Sequence, residues 1–357
     1  MNDKISIIIP CYKAENFLPN ILEDIIHQSY TNWEIIAVSN GADQDAQLLV
    51  LQDFKKKIGG GELLILTEER GSLAHARNLG MDAATGEWIA FADADDRLEP
   101  NHLQLLADGA EDGEPNVVIG GYKWYRVEEG TCEEVKGNEQ ITALSKKDLL
   151  HCSSALITVA WNKLYRTHFL RDNGLYFLDK LQFMDEDYIF CLTCLLHTDG
   201  VKLIPTCGYK YLMSERTSGS YDYISTKEET RQMIRKLRMQ LHEQAGTPQE
   251  EREDELQNLL FNNGIALVNN LFKHGSPLSF SQRRKEVKRL VFDNAEMRWA
   301  IEARKRYRAV FSRFTKIYLF AYETGSAFWM TTIFQTMYAL SKTFHPLYLK
   351  VVPWLRR

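Results

Sequence analysis

The chain lacks a glycine-rich phosphate loop. Pro10-Cys11-Tyr12-Lys13 follows the first strand signal, where a Walker loop or a G-x-G-x-x-G turn would stand, and this counts against a P-loop NTPase and a dinucleotide-binding dehydrogenase. The six cysteines (Cys11, Cys132, Cys152, Cys191, Cys194, Cys207) have no framework spacing and lie mostly among apolar residues, so they read as reduced thiols of a cytoplasmic protein. Met1 to Lys4 is polar and the run Ile5 to Ile9 is too short for a signal-peptide core. Repeats and low-complexity segments are absent. Thr324 to Ser341 has no formal charge, but its Thr, Ser, Gly and Gln make it too polar for a spanning helix.

What remains is a composition of ordinary globular type, 45% hydrophobic and 25% charged, in 357 residues, enough for two domains. The net charge of -5 conceals an asymmetry: Ser281 to Arg357 carries 16 Lys and Arg against 5 Asp and Glu, a local excess of +11. A basic tail on an acidic body fits either an anionic partner or a solvated helical face.

Strand and helix signals alternate through the first part. Ile5 to Ile9 is a β-branched run closed by Pro10, and apolar residues from Phe17 to Ile26 recur at helical spacing. Glu34–Val38, Leu63–Leu66, Trp88–Ala92 and Val117–Ile119 read as further strands. Helices are expected over about Asp45–Lys57 and from a Ser72 cap to about Ala84. The order predicts an α/β domain over 1–220, a mostly parallel sheet flanked by helices, with ligands beyond the carboxyl ends of the strands. After about Tyr221 long charged helical stretches dominate, and 221–357 is expected to be an α-helical C-terminal region.

Asp93-Ala94-Asp95-Asp96 follows the strand ending at Ala92. Three carboxylates in four residues repel one another, and a hard divalent cation offsets that cost through oxygen ligands. Asp93 and Asp95 point the same way if the backbone is extended. An Mg²⁺ or Mn²⁺ held by one or two carboxylates completes its shell with substrate phosphates, so the cluster suggests a phosphate-bearing ligand. The alternative is a solvated acidic loop; the position at the end of a buried strand favours the metal.

Ser6-Ile7-Ile8-Ile9-Pro10-Cys11-Tyr12, Gln28 to Ile36, Ala76-Arg77-Asn78-Leu79-Gly80, Ala84 to Phe91, the acid tetrad, Trp161 to Arg166 and Asp185 to Phe190 occur in an order that resembles the family-2 inverting glycosyltransferases of GT-A fold, bacterial surface-polysaccharide type. The resemblance implies a nucleoside-diphosphate sugar donor, with UDP expected, and a glycan or lipid-linked acceptor. It implies that Asp93 binds the donor and Asp95 ligates Mn²⁺ or Mg²⁺. Pro10 and Tyr12 would line the nucleoside pocket, and Arg77 and, more loosely, Arg216 would contact the nucleotide. Asp187 would be the general base with Glu186 supporting the acceptor site. By residues alone Glu186-Asp187 also fits an acidic first turn of a helix.

The chain departs from the family at Ser39-Asn40-Gly41-Ala42, where the family usually has D-D-G-S. The second Asp accepts a hydrogen bond from uracil. Asn40 can accept through its amide oxygen but is uncharged and adds donors, which leaves the base open; Asp43 or Asp45 are possible substitutes.

Cys191-x-x-Cys194 has no companion pair and reads as small core residues. His75 is either near the phosphates or on a helix surface. Trp161 either stacks on an acceptor sugar or packs in the core. Arg304-Lys305-Arg306-Tyr307-Arg308 is basic with no nucleic-acid motif beside it, which favours anionic lipid, and 324–341 either lies in the membrane interface or packs as a buried helix. A sugar-phosphate nucleotidyltransferase and a non-catalytic nucleotide-sugar or glycan-binding protein are the competing functional classes.

Overall fold

The computed structural model describes residues 2–42, 44–58, 63–111, 114–127, 129–137, 142–152, 154–179, 185–206, 208–213 and 222–343. It divides into two compact units, Met1–Ser218 with Gln240–Gly246, and Gly219–Met239 with Thr247–Arg357.

The first unit is built on an eight-stranded sheet. Its strands are β1 (Ile5–Cys11), β2 (Trp33–Asn40), β3 (Leu63–Glu68), β4 (Trp88–Phe91), β6 (Val117–Ile119), β9 (Thr142–Leu144), β10 (Lys163–Arg166) and β11 (Val201–Leu203), in the order β3-β2-β1-β4-β10-β6-β11-β9. Strands β5 (Arg97–Leu98), β7 (Tyr122–Arg126), β8 (Thr131–Val135) and β12 (Tyr209–Met213) form a second sheet, ordered β5-β12-β7-β8. The helices are α1 (Leu18–Ile26), α2 (Asp45–Lys57), α3 (Leu73–Ala83), α4 (His102–Glu111), α5 (Lys146–His151), α6 (Ser154–Ile157), α7 (Thr167–Asp172) and α8 (Glu186–His197).

The β-branched run of β1 is buried at every residue, as a strand covered on both faces must be. It pairs in parallel with β2 through Cys11 but with β4 only through Ile8. Pro10, which has no N–H to give, therefore sits past the end of the β4 ladder, where none is needed. Ser72 caps α3 by accepting from the His75 N–H at 3.2 Å. Gly80 lets α3 press onto β1, because a Cβ there would collide with the Ile8 side chain.

Several features depart from the sequence reading, the short strands β9 and β11 among them. The antiparallel strand β10 separates β4 from β6, two strands that the sequence leaves next to each other. Its first residue, Lys163, is buried because its ammonium donates to the carbonyls of Leu156 (2.6 Å) and Val159 and to Asn162 Oδ1 (2.7 Å). The whole second sheet is also additional.

The second unit is helical: α9 (Lys227–Gln244, through Met239), α10 (Gln249–Asn270), α11 (Phe280–Val287), α12 (Ala295–Arg304), α13 (Arg313–Glu323) and α14 (Ala327–Thr343). Its own core joins Phe261, Phe272, Tyr318, Met330 and Phe334. The polar back of α14 suits this half-buried position: Met330 and Phe334 point into the core, while Phe328 and Trp329 are exposed. No helix among the described residues is long and apolar enough to cross a membrane. The basic cluster is largely neutralised within the unit. Arg304 and Arg306 pair with Asp254 (3.1 and 3.2 Å), Lys305 with Glu302 and Arg308 with Glu323 (both 2.8 Å).

Candidate active site

Strands β1, β2 and β4 run parallel and deliver Cys11, Asn40 and Phe91 to one edge of the sheet. The acid tetrad begins two residues past β4. Its turn is closed by Asp96 N–H donating to the Asp93 carbonyl (3.2 Å). Tyr209 of β12 fastens it from the second sheet: its hydroxyl accepts from Asp93 N–H (3.0 Å) and donates to Asp96 Oδ2 (2.7 Å). Leu212 N–H donates to Asp96 Oδ1 (2.8 Å). Asp96 is buried, and burial together with the charges of Asp93 and Asp95 pushes its acid well above the carboxylate range. This last acid of the tetrad ties the loop down, and Asp93 and Asp95 face the edge.

Asp95 is half-buried, and burial followed by repulsion from Asp93 pushes its acid up to about 6. A carboxylate held in this way gains from a nearby cation. Among the described residues no group of three or more His, Cys, Asp or Glu is gathered as a metal site. The donor set therefore fits only a hard ion that takes one or two carboxylates here and the rest of its oxygens from phosphate and water.

The first turn of α8 presents Glu186 and Asp187. Between them and the tetrad lies Arg77 of α3, 1% exposed, whose guanidinium donates to Asp93 Oδ1 (2.9 Å) through one terminal nitrogen and to Asp187 Oδ1 through the other. Phe177 lies 5.2 Å from the guanidinium carbon on one side, held there because the Asn78 amide exchanges two hydrogen bonds with its backbone (2.8 and 2.9 Å). Burial alone pulls the guanidinium down; the charges of Asp187, Asp93 and Glu186 outweigh it and hold the group cationic. Asp187 Oδ2 accepts a longer bond from Ala160 N–H (3.3 Å). Burial raises the Asp187 acid against the pull of Arg77. Glu186 is buried, its Oε2 has no partner, and burial plus the Asp187 charge push it up to about 7.

The remaining expectations fall as follows. Arg77 is buried, and its two terminal nitrogens are taken by Asp93 and Asp187. Pro10 is buried within β1; Tyr12 is exposed, over the backbone of Gly41 and Gly71. Asn40 is buried with an unpartnered Oδ1. Arg216 and Asp43 lie outside the described residues, and Asp45 is exposed in the first turn of α2. His75 lies 2.7 Å from Glu68 and 3.7 Å from Asp179. Trp161 is a core residue, stacked on Tyr209 (4.2 Å) and Tyr211 (5.5 Å) and 4% exposed. Cys191 and Cys194 are buried, with Tyr165 against Cys191 (3.5 Å). Sequence reasoning missed Tyr209 and Tyr211, whose only local signal is the alternation Tyr-Lys-Tyr in a five-residue strand.

A β-α sheet with aspartates at the carboxyl end of the fourth strand, closed by an antiparallel insertion and a second small sheet, is the GT-A architecture. The crystal structure of residues 1–349 of Staphylococcus aureus TarS in complex with UDP-GlcNAc has the same fold, with a TM-score of 0.63 at 20% identity over 95% of this chain and 92% of that one. Residues 6–174 match the model of Glycosyl transferase family 2. Among curated relatives, Glycosyltransferase GlyA of Streptococcus pneumoniae serotype 4 is 30% identical over 46% of this chain and 25% of its own length. Glycosyltransferase GlyG of the same strain is 27% identical over 52% of this chain and 64% of its own. The poly(ribitol-phosphate) beta-N-acetylglucosaminyltransferase TarS of S. aureus strain Mu50 is 24% identical over 58% of this chain and 35% of its own. The chain thus spans less than two thirds of these relatives.

Proposed function

We propose that the protein is an inverting, metal-dependent glycosyltransferase that moves a sugar from a UDP-sugar to a hydroxyl of a glycan or lipid-linked acceptor in envelope polysaccharide synthesis. The observation that carries this reading is Arg77, whose single guanidinium joins the donor-side acid Asp93 to the acceptor-side acid Asp187. The names of the curated relatives support the reaction class, and those of TarS support UDP-GlcNAc as the type of donor and a poly(ribitol-phosphate)-like polymer as the type of acceptor. A nucleotidyltransferase is disfavoured by the family match.

In this reading 1–220 does the chemistry. Asp95, with Asp93 beside it, would hold Mn²⁺ or Mg²⁺, which when bound would supply charge neutralisation for the departing UDP. Tyr12 and Asn40 take the base, and Pro10 shapes the floor beneath them. Asp187 takes the proton of the acceptor hydroxyl as it attacks the anomeric carbon opposite the leaving diphosphate. Arg77 occupies one of its oxygens, but a carboxylate offers about four acceptor positions, and burial raises its basicity. Glu186, with one oxygen unpartnered and a proton half-held near neutrality, can bind the acceptor. Region 221–357 contributes peripheral contact with anionic lipid at the inner face of the cell membrane, through the exposed Phe328 and Trp329 more than through the internally paired Arg304–Arg308 cluster.

The test is UDP release from UDP-sugars with Mn²⁺, with and without EDTA. Acceptor-dependent release that EDTA abolishes is expected. Tight UDP binding without turnover on any donor and acceptor would replace the enzyme by a binding protein.

A further inference from the structure

The base slot at the end of β2 differs in chemistry from a carboxylate-lined one. Gly41 (φ +101°) and Gly71 (φ +70°) stand in left-handed conformations beside the Tyr12 ring. A Cβ at Gly41 would come within 2.9 Å of that ring, and one at Gly71 within 3.9 Å. The Tyr12 ring thus lies directly against the Gly41 backbone, an approach that a side chain at 41 would obstruct, and Asn40 next to it is 2% exposed. The backbone around Asn40 is fully secured. Gln47 donates to Ser39 Oγ (2.8 Å) and to the Asn40 carbonyl (3.4 Å), while Gly41 N–H and the Gln44 amide both donate to the Glu68 carbonyl (2.8 Å). The Asn40 carboxamide itself is not secured: Oδ1 is buried without a donor. An orphaned buried amide oxygen costs stability unless a ligand satisfies it.

We propose that Asn40 is the specificity-determining residue of the base slot and that it admits cytosine as well as uracil. The inference rests on the donor-site reading above. Uracil offers an N3–H donor beside the O4 acceptor; cytosine offers an N3 acceptor beside the N4–H donor. The two bases present the same pair of ring positions with donor and acceptor exchanged. A carboxamide carries one acceptor and one donor group, and with no protein bond on its oxygen it can turn over to match either. Oδ1 meets uracil N3–H with Nδ2 on O4, or Nδ2 meets cytosine N3 with Oδ1 on N4–H. A carboxylate accepts only; it suits uracil N3–H and opposes the cytosine N3 lone pair. Of the neighbouring acids in the described chain, Asp45 is exposed in the first turn of α2, and Glu68, the register partner of Asn40 on β3, is engaged by His75 (2.7 Å) and by the Arg70 N–H (2.8 Å).

The experiment is calorimetric titration of the full chain with UDP and with CDP in Mn²⁺ buffer, repeated on Asn40→Asp, an exchange of nearly equal shape. The wild type is expected to bind the two nucleotides with similar affinity. Asn40→Asp is expected to favour UDP over CDP by about five- to hundredfold, the range of a paired base contact. Wild-type binding of UDP with CDP weaker by about tenfold or more overturns this inference and leaves the transferase reading standing. Failure of both nucleotides to bind overturns the donor site itself. The wild-type ratio decides the matter even if the variant does not fold.

Discussion

Replacing Arg77 with methionine keeps an unbranched apolar stem and removes the one charge that two carboxylates share. Arg77 is 1% exposed, and its partners Asp93 and Asp187 have side chains 26% and 16% exposed. Removing one partner of a buried pair costs about 3–5 kcal/mol, because the other charge stays buried without compensation. Asp187 bears most of this, being the more enclosed. The cost depends on pH in a definite direction. Without Arg77 the folded-state pKa of Asp187 rises further above its unfolded value, so the folded state binds the extra proton. Stability is then intact below the unfolded pKa and is lost as pH rises through the folded pKa. Urea unfolding of wild type and Arg77→Met at pH 5 and pH 8 measures this: the gap is expected to widen at pH 8. Turnover at pH 7 is expected to fall by the general-base factor of about 10²–10⁴, with partial recovery at higher pH as Asp187 ionises. A variant as stable as wild type at pH 8, with an unchanged pH–rate profile, would refute the bridge.

Glu186 gives a second pH signature. Its folded acid is pushed up to about 7 from an ordinary 4.5, so wild-type stability should decline as pH rises between those values, and Glu186→Gln should flatten that part of a stability–pH curve. Gly80→Ala should lower stability by about 1–3 kcal/mol in chemical denaturation, since the added methyl collides with Ile8 in the sheet core. Flotation with anionic vesicles should be weakened by Phe328→Ser with Trp329→Ser and not by charge reversal at Arg306; unchanged flotation of the double variant would remove the membrane contact.

The central parallel strands β1 and β4 were legible because they are covered on both faces and therefore read as apolar runs, as in Ile5 to Ile9. Helix α2 coincides with its sequence pattern, and α3 begins one residue after its expected cap. Strand β10 was hidden because Lys163 and Arg166 read as polar surface. Lys163 is buried only because three oxygens from 156–162 converge on it, and Arg166 is half-buried because it lies over the Trp88 ring at 4.5 Å. The second sheet mixes aromatics with charges and is held by tertiary contacts such as Tyr209 to Asp96, which no local window contains. The carboxylates themselves could be named from sequence. The sharing of Arg77 between them could not, because it arises only when α3, the tetrad and α8 meet. The same blindness made the Arg304–Arg308 run look like a free basic patch, when Asp254 and Glu323, distant in sequence, pair with it.

Donor binding and transfer, measured side by side on Asp95→Ala and Asp187→Asn, test the division of labour between the two acid clusters. Asp95→Ala should lose Mn²⁺-dependent UDP-sugar binding and with it all transfer. Asp187→Asn should bind the donor as wild type does and transfer about 10²–10⁴-fold more slowly. Near-normal transfer by Asp187→Asn, with donor binding intact, would contradict the assignment of the base and the account built on it.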